Sequence, residues 1–239
     1  MRHLRISCVA LSIVGATISP SSAASPACDQ ADRQIASTPV MSDSANALRR
    51  HLTNVASLPN NAEVILLGDS LVQAWPADLS ASLANGAPVI NLGVGRDRIQ
   101  NTLWLLTSQA EQLKRIQPKA VVLLVGTNNI YLDKPCGVEL AFGQLFEQIG
   151  RLWPKSRLVQ ILILPRGQNM QGATEAISEV NASLLSRQKE VPNYRTVDAS
   201  AIACQGVTPC VNYREDLLHL TREGYEKLTP LVKEKLLQH

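Results

Sequence analysis

The stretch Glu63-Val-Ile-Leu-Leu-Gly68-Asp69-Ser70 decides the fold class of this chain. Its apolar run ends abruptly in a small polar tripeptide, and a helical pattern follows from Leu71. A strand, a tight turn and a helix in that order place a small polar residue at the carboxyl edge of a parallel sheet, where open α/β folds bind their ligands. Ser70 is therefore a candidate nucleophile.

Apolar runs and helical patterns alternate along the rest of the chain. The apolar runs cover residues 64–67, 88–91, 120–125, 158–164 and 194–197, and the helical patterns cover 44–56, 71–84, 99–114, 137–152, 173–189 and 222–237. Several runs are continuously apolar, as the strands of a parallel sheet covered on both faces must be. The pattern predicts one doubly wound, three-layer α/β/α domain with about five parallel strands and right-handed crossovers.

The first 24 residues have the pattern of a secretory signal peptide. Arg2 and Arg5 precede an apolar run over residues 6–18, which is shorter than the ~20 residues that a membrane-spanning helix needs. We predict a cleaved leader at 1–24, an N-terminal arm with an opening helix at 25–60, and a folded domain at 61–239. The mature protein is expected to be periplasmic or secreted, without integral membrane association.

The composition narrows the range of partners. The chain is 45% hydrophobic and 18% charged, with a formal net charge of +3. A balance so close to neutral gives no reason to expect nucleic acid as a partner. No sequence pattern indicates an oligomeric state.

Of the five cysteines, Cys8 lies in the predicted leader, and Cys28, Cys136, Cys204 and Cys210 remain. An even number in an oxidising compartment favours disulfides, and four cysteines allow three pairings. A bridge between Cys204 and Cys210 would close a compact loop and leave Cys28 to pair with Cys136. Four free buried thiols are the alternative. Zinc is disfavoured because the chain has no Cys-x-x-Cys motif and no histidine at ligand spacing, and we expect neither metal nor cofactor.

Polar residues follow the first three predicted strands. They are Gly68-Asp69-Ser70, Asn91-Leu-Gly93-Val-Gly95-Arg96-Asp97 and Gly126-Thr-Asn128-Asn129. Taken singly, each segment could be only a turn or a helix cap. Because the carboxyl ends of parallel strands meet at one edge of a sheet, the three segments can converge on one crevice. Their joint placement favours a functional site.

A serine nucleophile needs a base, because its hydroxyl is a weak nucleophile at neutral pH. The histidines after the leader are His51, His219 and His239. His239 is the last residue, and for His51, in the opening helix, we expect a solvated or capping role. His219 precedes the last helix, and Asp216 three residues upstream can orient its ring and stabilise the imidazolium. Glu215 is the competing acid.

The oxyanion that develops during attack needs hydrogen-bond donors. The candidates are the N–H of Ser70, an N–H of Gly95 or Arg96, and the side-chain amide of Asn128. Together they would supply three donors from three strand ends.

These segments resemble the sequence blocks of the SGNH (GDSL-type) hydrolase superfamily and, within it, the catalytic subunits of the intracellular platelet-activating-factor acetylhydrolase. The blocks are Gly68-Asp-Ser70, the Asn91 to Arg96 loop, Gly126-Thr-Asn128-Asn129 and Asp216-Leu-Leu-His219, and further similar stretches are Thr102-Leu-Trp104, Leu164-Pro-Arg-Gly167 and Gly224-Tyr225. The resemblance implies a flavodoxin-like sheet and an SGNH hydrolase domain at 61–239. It also implies Ser70 as nucleophile, His219 as base, Asp216 as orienting acid and Asn128 as oxyanion donor.

The sequence departs from the family at one position. The family's oxyanion glycine usually precedes an aspartate, whereas here Arg96 precedes Asp97 and Gly95 lies one residue earlier. The backbone N–H survives the change, but glycine permits φ values that arginine rarely adopts. The guanidinium of Arg96 could also project into the crevice and favour an anionic or polyhydroxylated substrate.

The resulting hypothesis is an exported serine esterase that hydrolyses short, acetyl-type esters of small molecules or glycans through an acyl-enzyme. A lysophospholipase or thioesterase-type acyl hydrolase is the alternative within the enzymes, and an acyltransferase would differ in passing the acyl group to a hydroxyl instead of water. A non-catalytic glycan-binding module on the same fold is the alternative outside them.

Overall fold

The structure is a computed structural model that describes residues 28–238, apart from positions 192, 205, 206 and 208. The predicted leader at 1–24 and His239 lie outside the described residues. In the part of the chain that is described, no helix combines the length and the apolar character needed to cross a membrane.

Five parallel strands form one sheet. They are β1 Val64–Gly68, β2 Val89–Asn91, β3 Ala120–Leu124, β4 Arg157–Ile161 and β5 Tyr194–Val197. Their order across the sheet is β2-β1-β3-β4-β5, and Val64 pairs with Val89 on one side and Ala120 on the other. The chain therefore reverses its winding direction beside β1, and in such sheets the ligand crevice lies at that switch point. The prediction of a three-layer α/β/α domain with five parallel strands is confirmed.

The helices in the described residues flank both faces of the sheet. They are α1 Gln30–Ser37, α2 Ala45–Ala56, α3 Ser70–Gln73, α4 Ala77–Ala81, α5 Ile99–Ser108, α6 Ala110–Leu113, α7 Pro135–Leu152, α8 Thr174–Ser186 and α9 Arg222–Leu237. Alternate residues of the strands divide the core, with Ile65 and Leu67 facing one cluster and Val64 and Leu66 the other. Residues of α1, α2 and α5 to α8 line the first cluster, and residues of α3, α4 and α9 line the second.

The predicted helix at 71–84 is divided in the structure. The first part, α3, ends at Gln73, and the second, α4, begins after Pro76. Proline has no N–H to donate and disfavours helical backbone in the residue before it, so the turn at Trp75 and Pro76 follows from local chemistry. The predicted helix at 99–114 is likewise divided at Gln109.

Helix α1 was not predicted, because its sequence is largely polar and it buries only Ala36. Its amino end is capped by Asp29, whose side chain accepts from the Asp32 N–H. The structure joins Cys28 to Cys136 at the start of α7, and it joins Cys204 to Cys210, which are the two pairs proposed from the sequence. The first bridge attaches the N-terminal arm to the body of the domain.

Candidate active site

The turn at the end of β1 raises Ser70 to the carboxyl edge of the sheet. Gly68 has φ +152°, and a Cβ on it would clash with the carbonyl oxygen of Leu124 on β3. Asp69 caps the short helix that follows, since its Oδ1 accepts from the Leu71 N–H at 2.9 Å. Ser70 is the first residue of α3. The Gly-Asp-Ser order is thus set by one close backbone approach and one helix cap.

The imidazole of His219 connects Ser70 to Asp216. Its Nε2 lies 2.8 Å from the Ser70 Oγ, and its Nδ1 lies 2.7 Å from Asp216 Oδ2. The other carboxylate oxygen of Asp216 accepts from the backbone N–H groups of Leu218 and His219. This local turn holds Asp216 in place, and a carboxylate on Nδ1 leaves Nε2 free to accept a proton from the serine. The structure therefore brings together the three residues predicted from the sequence.

The surroundings of Asp216 favour its ionised form. Partial burial raises the pKa of its carboxyl, but the hydrogen bonds from the His219 N–H and ring and from the Leu218 N–H outweigh that effect and lower it below the ordinary value of 3.8. A carboxylate that stays ionised can stabilise an imidazolium beside it.

The loop after β2 carries two candidate oxyanion donors, the backbone N–H groups of Gly95 and Arg96, and in the described structure only one of them is unoccupied. The Gly95 N–H donates to Gln73 Oε1 at 2.6 Å. Among the described residues, the N–H groups of Ser70 and Arg96 donate to no protein acceptor. Of the two loop candidates, Arg96 is therefore the residue that can donate to a ligand.

Arg96 adopts the conformation that the sequence left open. Its φ is +70°, in the left-handed region that favours glycine. Such a conformation costs a non-glycine residue on the order of 1–2 kcal/mol and persists only where neighbouring contacts impose it. Those contacts come from the residues on either side, since Val94 N–H donates to Gly68 O and Asp97 N–H donates to Val94 O.

Two adjacent asparagines after β3 face opposite directions. Asn128 is half-buried, and its Nδ2 donates to the Asp97 carbonyl at 2.9 Å, which leaves its second hydrogen available. Asn129 is fully buried, where its Oδ1 accepts from the Ile99 N–H and its Nδ2 donates to Gln100 Oε1. Asn128 thus keeps one amide hydrogen for a ligand, and Asn129 holds the loop to the start of α5.

The expectation of a solvated or capping role for His51 is wrong. Its side chain is 1% exposed, and Nε2 lies 2.9 Å from a carboxylate oxygen of Asp97, which is equally buried. The signal was present in the sequence, because Ala47, His51 and Val55 repeat every four residues and form the buried face of α2. Burial raises the pKa of Asp97, and the hydrogen bond from His51 offsets only part of that effect.

Helix α2 holds the loop after β2 at both of its ends. Arg50 Nε donates to the Gly93 carbonyl at 2.8 Å, and His51 binds Asp97 four residues later. Arg96 lies between these two attachments. The N-terminal arm therefore contributes to the conformation of the candidate oxyanion loop, which the sequence did not reveal.

Two further side chains at this edge were not singled out from the sequence. Arg166, from the loop after β4, donates to both the carbonyl and the hydroxyl oxygen of Thr127 at 2.9 Å, and its guanidinium lies over the ring of Tyr131. Asp69 is fully buried, and desolvation together with the charge of Asp97 raises its pKa to about 7 against the hydrogen bond from Leu71.

One cluster of potential metal ligands occurs within the described residues, formed by Cys28, Asp32 and Cys136. The two cysteine sulfurs are joined to each other in a disulfide, so they are not available as thiolate ligands. The cluster therefore does not indicate a metal site.

Comparisons with known proteins agree with this geometry. A model of the GDSL-like lipase/acylhydrolase family matches residues 44–227. Platelet-activating factor acetylhydrolase IB subunit alpha1 of Rattus norvegicus is 32% identical over 165 residues, which cover 68% of this chain and 70% of that protein. Subunit alpha2 of the Homo sapiens enzyme is 28% identical over 181 residues, which cover 74% of this chain and 76% of that protein.

Two solved structures share the fold at low sequence identity. A GDSL-like lipase from Bacteroides thetaiotaomicron has a TM-score of 0.62 and 17% identity, with 79% of this chain and 96% of the other covered. An acetylxylan esterase from Geobacillus stearothermophilus has a TM-score of 0.57 and 14% identity, with 74% and 95% covered. The chain belongs to the GDSL-like lipase/acylhydrolase family and is a carboxylic ester hydrolase.

Proposed function

We propose that this chain is an exported serine esterase that removes short acyl groups, of the acetyl type, from small-molecule or glycan esters. One observation carries the proposal: Ser70 Oγ lies 2.8 Å from His219 Nε2, while Asp216 holds the opposite ring nitrogen at 2.7 Å. Nucleophile, base and orienting acid at hydrogen-bond distance are what acyl transfer to a serine requires.

In the proposed reaction, His219 Nε2 accepts the Ser70 proton as the Oγ attacks the ester carbonyl carbon. The oxyanion receives hydrogen bonds from the backbone N–H groups of Ser70 and Arg96 and from the Asn128 amide. His219 then donates its proton to the departing alcohol oxygen, and the acyl-enzyme remains. A water molecule attacks this ester while His219 accepts its proton, and return of that proton to Ser70 releases the acid.

The acetyl preference is supported by the names of the relatives. One group is named for platelet-activating factor acetylhydrolase and a structural neighbour for acetylxylan esterase. A longer-chain acyl hydrolase, such as a lysophospholipase or thioesterase, is the second candidate. It is favoured by Tyr131 and Leu132, which are 60% and 69% exposed on the loop after Asn128 and could contact a longer chain.

Export is supported by the cysteines. The bridges Cys28–Cys136 and Cys204–Cys210 favour an oxidising compartment, since disulfides rarely persist in a reducing cytosol. A leader at 1–24, an arm at 25–60 and a catalytic domain at 61–239 form part of the same proposal, with a periplasmic or secreted location.

The test is hydrolysis of p-nitrophenyl esters from acetate to palmitate, with an acetylated sugar included. Acetate should be hydrolysed at least about tenfold faster than octanoate, and Ser70→Ala should lose the activity. Ser108→Ala, which removes an exposed hydroxyl at the far end of α5, is the matched control and should retain the parent rate.

Three results would count against the proposal. Rates that rise towards palmitate would favour the longer-chain hydrolase. Activity retained in Ser70→Ala would exclude the acyl-enzyme, whereas a parent protein inactive on every ester would favour a binding module. Product analysis with a sugar acceptor present separates hydrolysis from acyl transfer.

A further inference from the structure

A cavity of about 470 Å³ opens beside the candidate oxyanion loop. The lining residues that matter here are Met41, Asp43, Arg96, Arg98, Asn128 and Leu132. Its volume is within the range of small-molecule sites. Arg96 and Asn128, which line this cavity, are also candidate oxyanion donors of the proposed function, so a group bound here would be close to the ester that Ser70 attacks.

Two arginines, Arg96 and Arg98, line this cavity without a carboxylate partner among the described residues. Within the described part of the chain, neither Arg96 nor Arg98 has a carboxylate oxygen within 4.0 Å, whereas Arg222 pairs with Asp78. Asp43 also lines the cavity, yet it forms no ion pair with either arginine. Both side chains are positively charged, so an anion bound between them would be attracted to both.

The segment 40–43, which also lines the cavity, is held at Val40 by hydrogen bonds. The N–H of Val40 donates to the Gln100 carbonyl at 3.1 Å, and the Asn101 amide donates to the Val40 carbonyl at 2.9 Å. The Cys28–Cys136 bridge attaches the preceding helix to α7. A segment fixed in this way is organised before a ligand arrives, which lowers the entropic cost of binding.

We propose that this cavity binds an anionic substituent of the ester substrate, a carboxylate or a phosphate, between Arg96 and Arg98. Planar guanidinium groups match the oxygens of both anions. The proposal rests on the esterase function above, because it places the anion beside the acyl group that Ser70 would attack. The preferred substrates are then acylated alcohols that carry a negative charge close to the ester, from an acidic sugar or from a phosphorylated compound.

The first experiment measures binding to the Ser70→Ala protein by titration calorimetry at low ionic strength. The probes are 4-acetamidobenzoate, 4-acetamidophenyl phosphate and the neutral 4-acetamidobenzamide, whose acetamide replaces the cleavable ester. At least one anion should bind about tenfold tighter than the neutral probe, and the tighter of the two identifies the source of the charge. Equal affinities for all three probes would overturn the proposal.

Variants then test the two arginines in the same Ser70→Ala background. Arg98→Gln should weaken anion binding about tenfold, towards the affinity of the neutral probe. Arg96→Gly should do the same while keeping a backbone N–H and a residue that tolerates positive φ. Asp43→Asn should strengthen anion binding, because it removes a negative charge that repels the anion.

Arg115→Gln is the matched control. Arg115 is exposed and lies before β3, at the opposite edge of the sheet, so this variant removes the same charge far from the cavity. It should bind the anions like its parent. If Arg115→Gln weakens binding as much as Arg98→Gln does, net charge and not the cavity explains the preference, and the proposal fails.

Failure of this proposal and failure of the esterase function give different results. If the protein binds the anions through Arg98 but hydrolyses no ester, the anion site is supported and the esterase function fails. If the protein hydrolyses p-nitrophenyl acetate through Ser70 but binds all three probes equally, the esterase function is supported and the anion site fails.

Discussion

Two histidine–aspartate pairs in this molecule have almost the same contact and very different surroundings. His219 and Asp216 are three residues apart in the sequence, and His219 Nδ1 lies 2.7 Å from Asp216 Oδ2. Their side chains are 26% and 50% exposed. His51 and Asp97 come from distant segments, lie 2.9 Å apart and are both 1% exposed. The second ring nitrogen separates them further, because that of His219 faces Ser70 while that of His51 is buried without a partner among the described residues.

The comparison shows that the environment and not the pair determines what the pair can do. Hydrogen bonds lower the pKa of Asp216 despite its partial burial, whereas burial raises the pKa of Asp97 despite its bond to His51. The exposed pair can exchange a proton with Ser70 and a substrate. The buried pair has no such route, and its contacts instead hold the loop that carries Arg96.

The largest expected effect comes from breaking the exposed pair. His219→Ala should reduce kcat for p-nitrophenyl acetate by roughly 10⁴- to 10⁶-fold, because the proposed nucleophile loses its base. The melting temperature should change little, since the side chain is only partly buried. Steady-state kinetics and a thermal melt on one preparation check both statements. A loss of less than tenfold would remove His219 from the mechanism.

Breaking the buried pair should act mainly on stability. Asp97→Ala leaves the buried His51 ring without its partner, and removing one member of a buried pair typically costs about 3–5 kcal/mol in the free energy of unfolding. Asp97→Asn keeps an acceptor oxygen and should cost less. Urea denaturation measures the difference. A loss below about 1 kcal/mol in the free energy of unfolding of Asp97→Ala would show that the His51–Asp97 pair does not stabilise the fold.

Asn128 connects the two regions, because its amide binds the Asp97 carbonyl and is the proposed side-chain donor to the oxyanion at Ser70. Asn128→Ala should lower kcat by about 10²- to 10³-fold, the usual cost of one oxyanion donor. The neighbouring Asn129 is fully buried, so Asn129→Ala should instead lower the free energy of unfolding by about 1–3 kcal/mol. Kinetics and urea denaturation of both variants test this division, and equal effects of both substitutions on kcat would contradict it.

The smallest expected effect is a difference between the pKa values of Asp216 and Asp97. Carboxyl NMR should find the Asp216 pKa below 3.8 and the Asp97 pKa above it. The stability supplied by Asp216 is then present above its unfolded pKa and lost as the pH falls through the folded one. For Asp97 the sign is opposite, because the folded state binds the proton more tightly.

For Asp97, therefore, the free energy of unfolding should fall as the pH rises from its unfolded pKa to its raised folded pKa. Asp69, which is buried nearby with a pKa of about 7, acts in the same direction. Asp97→Asn should remove the Asp97 part of this slope, and Asp216→Asn should leave it intact. Equal slopes in both variants would contradict the assignment.

Local signals account for much of what could be predicted. Apolar runs that end in Gly-Asp-Ser or Gly-Thr-Asn-Asn identify strands and the turns after them, because each depends only on neighbouring residues. Asp216 and His219 are close enough along the chain for one turn to bring them together. Pro76 is also a local signal, because it divides the helix predicted at 71–84, whereas the apolar pattern continues across the division.

The features that were missed depend on distant contacts. Helix α1 has a capping box but buries only one residue, and its place is fixed by the bridge from Cys28 to α7. His51 has its partner in a loop after β2, and that partner follows no spacing rule. The capping box and the four-residue repeat on α2 were the available signals.

The sequence by itself determined the sheet, the order of its strands along the chain, and the polar residues at its carboxyl edge, because strand and turn preferences are local. Only the tertiary structure decided that Arg96 adopts a positive φ, that Gly95 is bound to Gln73, and that His51 is buried against Asp97. Each of these depends on packing between segments far apart in sequence. The turn at Gly68-Asp69-Ser70 shows both contributions, since its chemistry is local and its close approach to Leu124 is not.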